Sequence, residues 1–278
     1  MLCLNEKPLG FHLSTALKSA VLVLAICQPL GADVLKPATE AITAQPVLTF
    51  CYEDKQLLPY YTENSRDIPP QPGATIEHLK LAAEQVGITL KLMRMPWLRC
   101  LQQLEANSVD ALVAAYDEDR AHYTQYPTLS DGSADPGRAI NQLGLCLAHR
   151  FDNPIGKKIQ TKQQLTVSRP LGYKPIPFPE NTVLVGAQSP DNALDLVING
   201  RVDATTVLCQ LNGVDARERH LNLLPLQLMY PPLHQSFGYL MLSKAFYHQH
   251  QQLSEQLWQV LPQTLNKLRY LEYLSYPD

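Results

Sequence analysis

The chain has 278 residues, 45% of them apolar, with 23 Lys+Arg against 26 Asp+Glu, which is enough for two modest domains. The charge is nearly balanced and no basic block stands out, so the sequence carries no electrostatic footprint for nucleic acid. Its 22 prolines and 13 glycines point to many defined turns in a globular protein and not to disorder.

At the amino end, Lys7 and Lys18 precede the apolar run Ala20 to Cys27, which is too short to span a bilayer as a helix. Gln28-Pro29 breaks the run, and Leu30-Gly31-Ala32 is a small-residue ending of the kind signal peptidase accepts, so residues 1–32 are expected to be a signal peptide cleaved after Ala32. A lipoprotein signal at Leu24-Ala-Ile-Cys27 is disfavoured by the bulky Ile26. No later segment reaches the roughly 18 to 20 uninterrupted apolar residues of a span, so a soluble periplasmic chain is expected. Export would leave Cys51, Cys100, Cys146 and Cys209, an even set, in an oxidising compartment where pairing is expected. The absence of any Cys-x-x-Cys spacing argues against a structural zinc or thioredoxin-like centre.

Val47 to Tyr52 reads as a buried strand. From Gly73 to Val86 the residues Ile76, Leu79, Ala82, Ala83 and Val86 form a helical stripe that stops at Gly87. Ile88 to Leu92 alternates like a strand, Pro96-Trp97 opens a helix with Leu98, Leu101 and Leu104 inward, and Val109 to Ala114 is the next buried strand. This rhythm means a parallel sheet with right-handed crossovers. It returns at Val183 to Gly186, followed by the N-cap Ser189 with Pro190, a helix carrying Ala193, Leu194, Val197 and Ile198, and the strand Val202 to Leu208. The echo of Val109-Asp110-Ala111 in Val202-Asp203-Ala204 suggests two lobes of related design with a ligand cleft between them. The patch His248 to Gln252 reads as a solvated helix face. Leu253, Leu257, Val260, Leu261, Leu265 and Leu268 read as core, as does Trp258.

The order and spacing of these segments resemble the type II periplasmic solute-binding proteins of the polar amino-acid-binding group. Leu48 to Tyr61 looks like that family's first strand and Tyr-Pro-rich loop, and Met95-Pro-Trp97 like its tryptophan after the second strand. Asn107 to Ala111 and Gly200 to Ala204 look like its Gly-x-Val-Asp-Ala turns, and Tyr116 to Arg120 stands where the family has Thr-Pro-Glu-Arg. The resemblance implies a two-lobed α/β fold: residues 33–142 form the first lobe, 143–239 the second, and 240–278 return to the first. Ala139 to Leu145 and Phe237 to Leu242 would be the hinges.

It further implies that Arg120 binds a ligand carboxylate with its planar fork, against the plainer reading of a helix-end arginine paired with Asp117 or Glu118. Tyr52, Glu53, Tyr60, Tyr61, Trp97, Ala115 and Tyr116 are expected around the cleft mouth from the first lobe, and Gln188 from the second. Leu208 falls where α-amino-acid binders carry an acid for the ammonium, and the stretch Val185 to Ser189 has no Gly-Thr-Thr, so a standard α-amino acid is in doubt. Cys51 and Cys100 are expected to pair, the first near the end of a cleft-bordering strand and the second one turn into the helix after Trp97. Cys146 with Cys209 is a weaker second pair. No nucleophile elbow, zincin motif or P-loop is present, and the histidines make no ligand cluster, so no cofactor, metal or catalytic residue is expected. The expected partners are a small-molecule ligand and a membrane permease or sensor, for a protein monomeric by default. The alternative is an enzyme on the same fold, similar to cyclohexadienyl dehydratases, with Glu53 or Asp54 as the acid.

Overall fold

The computed structural model describes residues 45–174 and 176–276, without the side chains of Arg219 and His220, so the expected signal peptide lies outside the described residues. β1 (Val47–Glu53), α1 (Ala74–Gln85), β2 (Thr89–Met95), α2 (Trp97–Glu105) and β3 (Ala111–Ala115) appear in the expected order. β1 lies between β2 and β3, parallel to both. A short α3 (Glu118–Ala121) and β4 (Thr124–Gln125) lead to the long β5 (Asn141–Arg150) and α4 (Ile155–Gln160).

β6 (Leu165–Pro170), β7 (Thr182–Ala187), α5 (Pro190–Ile198) and β8 (Ala204–Leu211) make the second parallel set, in which β6 pairs with both β7 and β8. This corrects the reading of Val183 to Gly186 as the leading strand of that set. β7 is an edge strand of the sheet, as β2 is at the other end, and β6 is the counterpart of β1. The chain continues through β9 (Val214–Asp215), β10 (Leu226–Ser243), α6 (Lys244–Gln249), α7 (Gln251–Val260) and α8 (Lys267–Tyr273).

The two Val-Asp-Ala segments do the same work in both halves. The Thr49 amide donates to Asp110 Oδ2 at 2.8 Å, and the Asp110 amide donates back to the Thr49 carbonyl at 2.9 Å. The Thr166 amide donates to Asp203 Oδ2 at 2.9 Å, and the Asp203 amide donates to the Thr166 carbonyl, also at 2.9 Å. Each aspartate thus satisfies a backbone donor that its strand pairing leaves open, and fixes the register of the central strand.

β10 connects the halves. Its residues Gly238 to Leu242 pair antiparallel with β3, and Leu226 to Gly238 pair antiparallel with β5. β5 in turn pairs with β8, so β5 and β10 run side by side between the two parallel sets.

In the first half, alternate β1 residues face opposite cores. Leu48, Phe50 and Tyr52 pack with Ile76, Leu79, Leu257 and Trp258, while Cys51 packs with Cys100, Leu104 and Leu112. Trp258 is fully buried and its indole donates to the Leu240 carbonyl at 2.8 Å. Two of the leucines expected inward are not: Leu98 is 46% exposed and Leu268 71% exposed. Trp97, Cys100, Leu101 and Leu104 share one face of α2, and Leu98, one position after Trp97, is turned about 100° away from it; α8 buries Tyr270 and Tyr273 instead of Leu268. The His248 to Gln252 patch is solvated except at His250, which separates α6 from α7 and packs its ring 4.8 Å from Phe246. Both disulfides form, Cys51–Cys100 and Cys146–Cys209, each with Cα atoms 5.7 Å apart. Among the described residues no helix is long and apolar enough to cross a membrane.

Candidate ligand-binding cleft

At the carboxyl ends of β1, β3 and β6 a cleft of about 220 Å³ opens between the two halves. This is smaller than the pockets that hold drug-sized molecules. Open parallel sheets place ligands at these strand ends, because there the strands stop and loops from neighbouring units converge.

Glu53, the last residue of β1, lines the cleft and is 4% exposed. Its position is set by Arg94, whose guanidinium donates to the Glu53 carbonyl at 3.3 Å and to the carbonyls of Thr62, Glu63 and Asp67 at 3.0, 2.8 and 3.1 Å. Arg94 is therefore spent on pinning the loop after β1. Burial pushes the Glu53 carboxyl up to about 7, opposed by the hydrogen bond from the Tyr173 hydroxyl at 2.9 Å and reinforced by neighbouring Asp54. The folded value lies above the unfolded one, so the folded state holds the extra proton and stability falls as pH rises from about 4.5 through about 7. The expected result is that Glu53→Gln flattens the pH dependence of the melting temperature across that window. The variant should exceed the parent at pH 8 by about 3 kcal/mol. Parallel profiles for the two proteins would contradict the assignment.

Arg120, 8% exposed, lies in α3, whose N-cap Asp117 accepts from the Arg120 amide at 3.3 Å. Its guanidinium pairs with neither Asp117 nor Glu118. Instead Nη2 donates to the carbonyl of Gly172, on the loop after β6, at 2.7 Å, and the group lies 5.8 Å from the Trp97 ring. That is its only hydrogen bond from the side chain among the described residues, so the rest of the fork is uncommitted.

The loop after β6 is what the sequence reading missed. Where the first half has α1 between β1 and β2, the described residues between β6 and β7 form no helix, and the loop reaches across the cleft. The Gly172 carbonyl also accepts from the Trp97 indole at 3.2 Å, Tyr173 packs edge-on to Trp97 at 6.3 Å, and Lys174 Nζ donates to the Tyr116 carbonyl. Arg169, at the end of β6, lines the cleft as well, with Asn141, Glu218 and His234. The signals were present: Leu165 and Val167 alternate with polar residues as a half-buried strand does, and Pro170-Leu-Gly172 then marks a turn.

Of the residues expected from the sequence, Glu53, Tyr60, Tyr61, Trp97, Ala115, Arg120 and Leu208 line one cleft. Tyr60 brings a buried hydroxyl that has no hydrogen-bond partner among the described residues. Tyr116 does not line the cleft: its carbonyl accepts from Lys174 Nζ and its ring packs on Tyr126 at 5.1 Å. Two more of the expected residues, Tyr52 and Gln188, do not line it either. Tyr52 is fully buried beneath the cleft, tilted on Tyr61 with Arg94 5.0 Å above its ring. Gln188 is exposed at the end of the edge strand β7, while Pro190, Ala193 and Leu194 just beyond it line the cleft.

Two α/β halves, each built on a parallel strand set, joined by antiparallel crossing strands and enclosing a cleft at the strand ends, are the type II periplasmic binding protein fold. Solved structures with this fold agree. The GluR0 ligand-binding core in complex with L-glutamate has a TM-score of 0.60 at 10% identity, covering 84% of this chain and all 100% of its own. A histidine kinase sensor domain with similarity to periplasmic binding proteins has 0.58 at 16%, covering 83% and 95%. The substrate binding protein of an amino acid ABC transporter has 0.57 at 14%, covering 82% and 96%. No protein-family model matches the chain, and no curated protein matches it in sequence.

Proposed function

We propose that this protein is a periplasmic solute-binding protein that captures a small acidic solute in the cleft and delivers it to a membrane partner, an importer or a sensor. One observation carries the reading: Arg120 stands at the cleft with most of its fork uncommitted, facing a loop from the opposite half that already supplies it with one acceptor. A carboxylate is a stronger acceptor than that peptide carbonyl and fits the planar fork bidentately. The segments 139–145 and 237–242 would be the hinges, with the partner change of β10 at Gly238 as the pivot. Residues 33–142 and 240–278 would then form one lobe and residues 143–239 the other. Closure follows from a solute that binds the closed arrangement more tightly than the open one.

Leu208 on the cleft wall, 7% exposed, offers no partner to an ammonium group, which disfavours a free α-amine unless Glu53 or Glu218 meets it. A dehydratase-like activity has Glu53 or Asp54 as its candidate acid, but the similar structures named above are a ligand-binding core, a sensor domain and a substrate binding protein.

A thermal-shift screen of amino acids, polyamines and small carboxylates tests the proposal. The expected result is a raised melting temperature with carboxylates, since a solute that binds only the folded chain stabilises it. A flat response across the whole screen would sink it.

The cross-cleft loop gives a further expectation. Gly172 has φ +78°, and a Cβ there would lie 2.3 Å from Leu98 Cδ2 and 3.2 Å from Trp97 Cδ1. Gly132, at φ +85°, has open space around it. Alanine at either position should cost about 1–2 kcal/mol through the left-handed backbone. Only Gly172→Ala should also weaken binding of a carboxylate found in the screen. Calorimetry showing parent affinity in Gly172→Ala would separate the loop from the binding event.

A further inference from the structure

We propose that the cleft is built for a dianion: Arg120 takes one carboxylate of a small dicarboxylate, and Arg169, on the other side, takes the second. This rests on the reading of the cleft as a solute site. Arg169 is 9% exposed and lines the cleft at the carboxyl end of β6. Its Nη1 donates to the Lys174 carbonyl at 2.7 Å and its guanidinium lies 5.7 Å from the Phe178 ring, but its Nε is enclosed without an acceptor among the described residues.

Among the described residues, no carboxylate comes within ion-pair distance of Arg120, Arg169 or Lys174. The cleft is thus lined by three such cations, while its acids are Glu53, held by Tyr173, and Glu218. Enclosing a guanidinium without a counter-charge is costly, and the fold tolerates it where an incoming anion supplies the charge. Arg120 comes from the first half and holds the carbonyl of Gly172, while Arg169 comes from the second half and holds that of Lys174, so the two forks enter the cleft from opposite sides. A solute with an acidic group at each end meets both, and its short carbon chain lies against the apolar wall of Ala115, Leu143, Leu145 and Leu208.

Calorimetry with succinate, glutarate and adipate, each beside its monoamide, tests this on the parent, Arg169→Gln and Arg169→Lys. The expected result is that at least one diacid binds the parent on the order of ten- to a hundredfold more tightly than its monoamide, the factor a charge-assisted hydrogen bond provides. Arg169→Gln should weaken the diacid and leave the monoamide near its parent affinity, so that the ratio collapses towards one. A purely structural arginine would weaken both alike. Should the glutamine variant fail to fold, Arg169→Lys decides, because a point charge keeps only part of the ratio. Monoamides that bind the parent as tightly as the diacids, or a ratio left intact in the variants, would overturn the proposal. If monocarboxylates or amino acids bind and diacids do not, the dianion site fails and solute capture stands. If no solute binds, solute capture itself fails.

Discussion

Removing the Cys51–Cys100 disulfide, as Cys51→Ala/Cys100→Ala, is expected to cost about 4 kcal/mol of stability on chain-entropy grounds. The cross-link closes a separation of 49 residues and both cysteines are fully buried. A change of that size should lower the melting temperature of a chain this long by about 10 °C. Ligand affinity should fall as well, because the cross-link ties the end of β1, which carries Glu53, to the first turn of α2, which carries Trp97. The Cys146–Cys209 bridge closes a similar separation of 63 residues and should cost a similar amount. Calorimetric scans of the parent and both double variants check this. A first-bridge variant that melts with the parent would contradict it.

The second large effect is on binding. Arg120→Ala should weaken a carboxylate ligand by about a hundredfold, since hydrogen bonds to charged groups contribute up to about 3 kcal/mol. Arg120→Lys should recover little of it, because an ammonium cannot reproduce two parallel N–H donors. Stability should change far less, as the guanidinium makes a single hydrogen bond among the described residues, to the Gly172 carbonyl. Equal affinities in the parent and both variants, measured by titration calorimetry, would reduce Arg120 to a brace for the loop after β6.

Much of this architecture was legible because it rests on short-range patterns. The helical stripe from Ile76 to Val86, the apolar run of β1 and the repeated Val-Asp-Ala segments each report a local periodicity or a turn, and local signals survive without tertiary information. The Cys51–Cys100 pairing followed from placing both residues at the same end of neighbouring elements. What escaped was decided at long range. β6 is a short strand with Thr166 and Ser168 on it, and its identity as the centre of the second set depends on pairing with β7 and β8. Once β6 was missed, the loop after it went unread, and with it Arg169, Tyr173 and Lys174. Gln188 was assigned to the cleft in their place. Tyr52 illustrates a different limit: an aromatic at a strand end can face the cleft or the core. Here the strand's alternation sends it under Arg94 and into the core with Phe50.

Tryptophan emission during a titration tests the central claim most directly. The chain has two tryptophans, Trp97 at the cleft and Trp258 fully buried in the core behind it. A carboxylate that binds between the halves should change the emission of the parent, because it alters the surroundings of the Trp97 indole, and the change should disappear in Trp97→Phe. A Trp97→Phe variant that keeps the whole ligand-induced signal would place the binding event outside this cleft.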